Sequence, residues 1–366
     1  MPRRGAKRPT IRDVAERAGV SRGTVSRYLN GGTFVSPQAA RKVEKAIAAT
    51  GYVANHSARS LATGRAGSIG FLLTEPQQLL FEDPNFSTLY RCAAAALAEH
   101  DLPLVLMVAG SPLERRQVLR YIEAGHVDGV LLVSSHEGNP VVKALLDARV
   151  PTVACGRPLG FEDRMGYVAA DDRGGARTMT RHLLDAGARH LAMIAGPAGT
   201  SGGQERRAGF LDVLGPGADE SLVVPADYTR EGGARAARSL MEAHPETDGL
   251  FVASDLMAAG AVEELRRAGR RVPEDVLVGG FDDSSFALTT EPALTTVRQP
   301  VQAMCEAAFQ EDQRRDGASA SGGRRGPGPR CRHPSHHPGG PRLDGAGLRP
   351  GLRGRAPGLA KGTGEP

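Results

Sequence analysis

Apolar residues recur at spacings of three and four near the start of the chain, and in short continuous runs further along. Ile11, Val14, Ala15 and Ala18 fall on one helix face. Gly19 permits the left-handed backbone that ends a helix, and Ser21 stands where it caps the next. Val25 and Leu29 then repeat at spacing four. Two short helices joined this tightly predict a helix-turn-helix, whose second helix suits a DNA major groove. Arg22, Gly23, Thr24, Ser26 and Arg27 crowd the polar face of that second helix. Two solvated helices of a small bundle would show the same periodicity. A third helix is predicted over 38–50, with Val43, Ala46 and Ile47 inward and Gly51 stopping it. The segment from Asn55 to Ala62 reads as a short helix, marginal alone, before a flexible linker through Gly67.

From Ser68 the pattern changes. Strand-length apolar runs begin at Ile69, Leu104, Gly129, Thr152, His190, Gly249 and Val276. Helical patterns lie between them, at 87–100, 113–124, 140–148, 174–186, 204–214, 232–243 and 255–268. Strand alternating with helix through short connections predicts parallel, doubly wound sheets. Two such units in tandem predict a two-lobed body with a small-molecule cleft between the lobes.

Charge sharpens this division. The formal net charge is +5, but residues 1–65 hold 13 Lys/Arg against 3 Asp/Glu, and residues 317–366 hold 9 against 2. The body between is therefore strongly acidic. A basic head on an acidic body concentrates attraction for phosphate at one end. No apolar run approaches a membrane span, and the basic N-terminus has no apolar stretch after it as a signal peptide would. A cytoplasmic, nucleoid-associated protein with no membrane partner is expected. Cys92, Cys155, Cys305 and Cys331 lack pairing or metal spacing and read as free thiols.

Carboxylates at Asp163, Asp171, Asp172 and Asp283 raise an enzymatic reading, since paired acids can do acid/base work. No nucleophile elbow, phosphate loop or metal cluster stands beside them. Asp171-Asp172 ends a strand and opens a helix, where capping is expected. No catalytic residue, cofactor or metal is assigned.

The end of the chain breaks the pattern. A helix begins at Val301 and dissolves near Ala308. Residues 317–366 hold 14 Gly and 8 Pro and no Ile, Val, Phe or Met. Such a composition predicts disorder and no core strand. Cys331, His333, His336 and His337 imitate a zinc site but supply a single sulfur. A shifted reading frame in a GC-rich gene would yield this mixture; a natural disordered basic tail is the competing reading.

The run Thr10-Ile11, Asp13-Val14-Ala15, Ala18-Gly19-Val20-Ser21, Thr24-Val25-Ser26-Arg27, Leu29-Asn30 resembles the headpiece of the lactose-repressor (LacI/GalR) family of bacterial transcription regulators. The match continues through Val35-Ser36, Gly51-Tyr52 and Asn55 to Ala58-Arg59-Ser60-Leu61. In the body it rests on Asp128-Gly129-Val130, Asp171-Asp172, Arg206 with Gly209-Phe210, Ser254-Asp255, Val278 to Asp283, and Leu294 to Val297. It runs from about Pro9 to Ala308.

The resemblance implies the fold of periplasmic sugar-binding proteins for the body. It implies that Arg22 and Gly23 face base edges; Gly23 offers no side chain, so one contact is missing or made by backbone. Arg27 would meet a guanine or a phosphate. Thr10, Ser21, Thr24 and Asn30 would meet phosphates or cap helices. Ser26, Asn55 and Arg59 join this DNA-facing set, and Leu61 matches a leucine wedged into the minor groove. In the cleft, Arg206 matches an arginine that reaches sugar hydroxyls or a carboxylate, and Asp282 an aspartate that accepts hydroxyl hydrogen bonds, a fork of donors opposite a carboxylate. Ser254 stands where many members have Asn, which leaves ligand identity open. Phe81, Phe86 and Phe281 are candidates to stack on a sugar face or to pack in the core.

The expected fold is an all-α helix-turn-helix headpiece followed by an α/β two-lobed body of the periplasmic-binding-protein type, then a disordered tail. The expected parts are a basic arm (1–8), headpiece (9–54), hinge and linker (55–67), effector-binding and dimerisation body (68–308) and tail (309–366). Expected partners are double-stranded operator DNA, a sugar effector and a second copy of the chain. The alternative is a sugar-binding or sugar-processing protein with no DNA role. The strand that the altered tail fails to supply is expected to leave the first lobe uncovered.

Overall fold

The computed structural model describes residues 9–29, 35–52, 65–308 and the backbone of 348–349. These fall into two compact units, one running to Gly67 and taking in Gly125–Asp128, the other containing the rest.

In the first unit, α1 (Ile11–Ala18) opens on a capping box: Asp13 N–H donates to Thr10 Oγ1, and Thr10 N–H donates to Asp13 Oδ2 at 2.7 Å. It stops at Gly19, whose φ of 63° lies in the left-handed region. Helix α2 (Arg22–Leu29) follows, with Ser21 Oγ accepting from Thr24 N–H at 3.1 Å. Helix α3 (Pro37–Thr50) starts at the Ser36 cap and ends at Gly51. Val14, Ala15, Ala18, Val25, Val43 and Ala46 form the core, with Ile11, Leu29, Ile47 and Tyr52 packed around it. In the same unit the Asp128 carboxylate accepts the N–H groups of Ala66 and Gly67, both at 2.6 Å.

The second unit has two lobes. The first contains β1 (Ile69–Leu73), α4 (Gln77–Glu82), α5 (Pro84–Ala98), β2 (Leu104–Val108), α6 (Pro112–Glu123), β3 (Gly129–Val133), α7 (Pro140–Asp147), β4 (Thr152–Cys155) and β5 (Gly166–Val168). Its strands form one parallel sheet in the order β2-β1-β3-β4-β5. The second lobe contains α8 (Asp172–Asp185), β6 (Leu191–Ala195), α9 (Ser201–Leu214), β7 (Val223–Pro225), α10 (Arg230–Ala243), β8 (Gly249–Val252), α11 (Asp255–Arg267), β9 (Leu277–Asp282), α12 (Ser285–Thr289) and β10 (Thr295–Arg298). Here β10-β9-β8-β6-β7 are parallel neighbours. The chain then returns to the first lobe: a helix over 301–308 sets Met304, Cys305 and Ala308 against Phe71, Leu89 and Val153.

Several helices start earlier than their apolar pattern, because a polar cap recruits the preceding turn. Asp83, Asp171, Thr200 and Thr229 cap α5, α8, α9 and α10. The short elements α4, β5, β7, α12 and β10 are additions to the sequence reading.

The tail requires a correction. Leu348–Arg349 forms a two-residue strand, β11, antiparallel to β10. It joins the second lobe's sheet, where composition predicted disorder and no core strand; among the described residues the first lobe's sheet holds β1 to β5, with no strand from the tail. Main-chain hydrogen bonds at a sheet edge need no apolar side chains, so composition did not forbid it. The tail's remaining residues, its expected disorder and the Cys331/His group lie outside the described residues.

Candidate functional site

On α2, Arg22, Gly23 and Arg27 are exposed, with Thr24 and Ser26 half-buried beside them. Arg27 folds back along the helix, its Nε donating to Gly23 O at 3.2 Å. Ser21 and Thr24 share a hydroxyl–hydroxyl hydrogen bond at 2.9 Å while Ser21 caps the helix. Thr10 likewise serves as a cap. A Cβ at Gly23 would meet only Ser21 Oγ, at an ordinary 3.7 Å. Packing thus leaves the position free, and the missing side chain changes only the outer surface. Asn30, Asn55, Arg59 and Leu61 lie outside the described residues.

In the body, a cleft of about 1070 Å³ opens between the two lobes. Arg206, on α9, forms its floor and is 6% exposed. Its guanidinium donates to Asp172 Oδ1 at 2.8 Å and to Ala253 O at 2.5 Å, and lies 3.3 Å from Asp282 Oδ1. Beneath it lies the Phe281 ring, 3.8 Å from centroid to guanidinium carbon. Burial alone would lower the Arg206 pKa; Asp172 and Asp282 outweigh it and hold the group firmly charged. Asp282 also accepts from Gln299 Nε2 at 2.6 Å. Burial drives its carboxyl well above the ordinary range, against the pull of Arg206. A fixed fork of donors between two carboxylates is a polar floor of alternating donors and acceptors, suited to ring hydroxyls.

Phe81, Phe86, Arg206, Ser254 and Asp282 all line this cleft. Ser254 also caps α11, accepting from Met257 N–H at 3.3 Å. Phe281 does not line it. Strand alternation sends its ring the other way, 1% exposed, into a row with Phe251 and Phe210 at 6.4 Å spacings. It supports the arginine from below instead of meeting a ligand.

The structure adds residues that the sequence did not single out. Tyr228, Gln299, Asp83, Glu75 and His136 line the cleft. Asp172, for which capping was expected, pairs with Arg206, while Asp171 does the capping. Asp83 is pushed up to about 6 by burial, with the Asn85 N–H and Arg206 pulling it down. His136 Nε2 meets Glu75 Oε1 at 2.6 Å, and that bond raises the imidazole pKa. The lobes also touch directly. His136 bridges Thr200, Glu137 N–H donates to Gly199 O at 2.7 Å, and Arg157 pairs with Glu205 at 2.8 Å. Only the resemblance marked Arg206 and Asp282, because their partners come from distant parts of the chain. No group able to hold a metal, and no helix long and apolar enough to cross a membrane, occurs among the described residues.

A helix-turn-helix with an open recognition face, joined to a two-lobed ligand-binding body, defines a ligand-responsive DNA-binding regulator. The chain belongs to the LacI family of bacterial transcription regulators. Residues 10–55 match the model described as bacterial regulatory proteins, lacI family, and residues 180–317 match a periplasmic binding protein-like domain. The chain is 42% identical over 302 residues to the transcriptional regulator CelR of Thermobifida fusca, covering 81% of this chain and 89% of that protein. It is 34% identical to the ribose operon repressor of Halalkalibacterium halodurans, covering 80% and 86%. Among solved structures, a CelR–cellobiose complex aligns with TM-score 0.68 at 39% identity, covering 86% of this chain and 95% of that one. A lac repressor dimer bound to operator and an anti-inducer aligns with TM-score 0.73 at 24% identity, which speaks for the fold alone. The headpiece match removes the alternative of a sugar-binding protein without a DNA role.

Proposed function

We propose that this protein is a cytoplasmic repressor that binds a palindromic operator as a homodimer and responds to a neutral sugar. The observation that carries the effector reading is the buried Arg206 fork set between Asp172 and Asp282 at the floor of the cleft. The cellobiose held by CelR makes that disaccharide the first sugar to try. The protein acts by binding, with no catalytic step and no cofactor. Arg22 and the backbone at Gly23 read base edges, and Arg27 meets a guanine or a phosphate. Thr10, Ser21, Thr24, Ser26, Asn30, Asn55 and Arg59 position the headpiece on the duplex, and Leu61 wedges the minor groove at the palindrome's centre. Residues 9–54 are the headpiece, 55–67 the hinge and 68–308 the effector and dimer body.

The test is to sequence the DNA fragments that the full chain retains, with and without cellobiose and ribose. One palindromic motif is expected, with its recovery changed by a sugar. Fragments sharing no motif would overturn the operator reading; a motif indifferent to every sugar would overturn the effector reading. Arg22→Ala is expected to relax preference at one base pair per half-site, at a cost of about 1–3 kcal/mol. A uniform loss with a shallower salt slope would make Arg22 a phosphate contact.

A further inference from the structure

The two walls of the cleft differ, and the difference defines the ligand more closely than a sugar of any kind. The floor is buried and polar. The first-lobe wall carries α4, a single short helix in which Leu79 and Leu80 are buried, 8% and 7% exposed, and the next residue, Phe81, is 78% exposed. Among the described residues Phe81 is the most exposed of the large apolar side chains, and it still lines the cleft, beside half-buried Phe86. A large ring left in water at the lip of a ligand pocket is an unused apolar face.

Charge narrows the class further. Seven carboxylates line the cleft against four guanidinium groups. Each guanidinium is engaged: Arg157 with Glu205, Arg206 with Asp172 and Asp282, Arg230 with Glu263, and Arg235 with Asp227 and Glu231. His136 is paired with Glu75. A phosphorylated sugar would enter an acidic cavity whose cations are already neutralised. The cavity, about 1070 Å³, is just above the usual range for small-molecule sites, roughly 300–1,000 Å³. One sugar ring on the Arg206 floor leaves much of it unfilled.

We propose that the cleft selects unphosphorylated sugars of two or more rings, the inner ring held on the Arg206–Asp282 floor and an outer ring stacked on Phe81; this rests on the proposal that the effector is a sugar. The aromatic face meets the apolar C–H face of the outer ring, and the carboxylates of the first-lobe wall accept hydrogen bonds from its hydroxyls. Phe81 is then the residue that distinguishes sugar length, and α4 is the element that carries this choice.

The experiment is calorimetric titration of the full chain with glucose, xylose and ribose, then with cellobiose, maltose and xylobiose, and with glucose 6-phosphate. At least one disaccharide is expected to bind about tenfold or more tightly than its own monosaccharide, and glucose 6-phosphate more weakly than glucose. In Phe81→Ala the disaccharide-to-monosaccharide ratio is expected to collapse towards one, and Phe81→Trp is expected to restore it. Sugar-free DNA binding reports that each variant is folded. Equal affinities for one and two rings in the wild type, or a ratio unchanged in Phe81→Ala, would overturn the proposal. Failure of every neutral sugar to bind would overturn the sugar reading itself. A monosaccharide that binds and is lost in Arg206→Ala, with no gain from a second ring, would leave that reading standing and sink this one.

Discussion

The two lobes of the body share an alternation of strand and helix but treat their side of the cleft differently. The second lobe presents a buried, fully bonded floor: Arg206 is fixed by two carboxylates, a main-chain carbonyl and the ring of Phe281. Behind it, Phe210, Phe251 and Phe281 run through a continuous core. The first lobe presents an exposed phenylalanine, a half-exposed histidine and a carboxyl whose pKa burial pushes up to about 6. One wall is held by its own bonds, while the other leaves the Phe81 ring standing in solvent. On the proposed reading, recognition is divided, with a polar anchor on one side and choice on the other. A preorganised anchor reduces what binding must order.

Removing the anchor should have the largest effect. Arg206→Ala leaves Asp172 and Asp282 buried without their cation, a loss of about 3–5 kcal/mol in folding stability, and abolishes sugar binding. Denaturant titration at neutral pH measures it. A loss under about 1 kcal/mol would mean that the floor is not preorganised, and the contrast between lobes would disappear.

The next effect tests whether the second lobe is rigid behind that floor. A Cβ at Gly260 on α11 would fall well inside van der Waals contact of Arg230 O on α10. Gly260→Ala must push these helices apart and is expected to cost about 2–4 kcal/mol by thermal or chemical unfolding. If the variant melts like the wild type, α10 and α11 shift freely and the lobe is softer than its packing implies.

A third effect concerns pH and belongs to the first lobe. Asp83 titrates near 3.8 when unfolded and is pushed up to about 6 in the fold, chiefly by burial. The folded state therefore holds a proton that the unfolded state has released. Its contribution to stability is present below about pH 4 and is lost as pH rises through about 6. Asp83→Asn keeps an oxygen for the Asn85 N–H but cannot ionise. It is expected to remove about 1–3 kcal/mol of the fall in stability between about pH 4 and pH 7. Identical pH profiles for the two proteins would show that Asp83 is not desolvated.

The smallest effect lies where the lobes meet. Arg157 and Glu205 are each about one-third exposed, at 33% and 31%. Glu205→Gln is expected to change stability by less than about 1 kcal/mol, and by less again in high salt. A loss rivalling that of Arg206→Ala would move the anchor from the floor to the junction of the lobes.

Much of the fold was legible in the sequence, and the limits were physical. The helix-turn-helix showed because its core residues, its Gly19 stop and its Ser21 cap are all local. The longer strands showed because buried parallel strands are continuous apolar runs. The missed strands β5, β7 and β10 are only three or four residues long, and such segments look the same in a loop. Of the two places open to Phe281, cleft and core, the fold takes the core, because its neighbour Asp282 faces the cleft and successive strand residues face opposite ways. Tyr228, Gln299 and Asp83 carried no local mark. Their place at the site arises only when distant segments of the chain are folded together.

The contact between Glu137 N–H and Gly199 O is made by main-chain atoms alone. Any residue but proline at position 137, and any residue at 199, can supply those atoms. The side chains that line the cleft can thus be exchanged without losing this joint between the two lobes. The joint belongs to the backbone, and the lining of the cleft to the side chains.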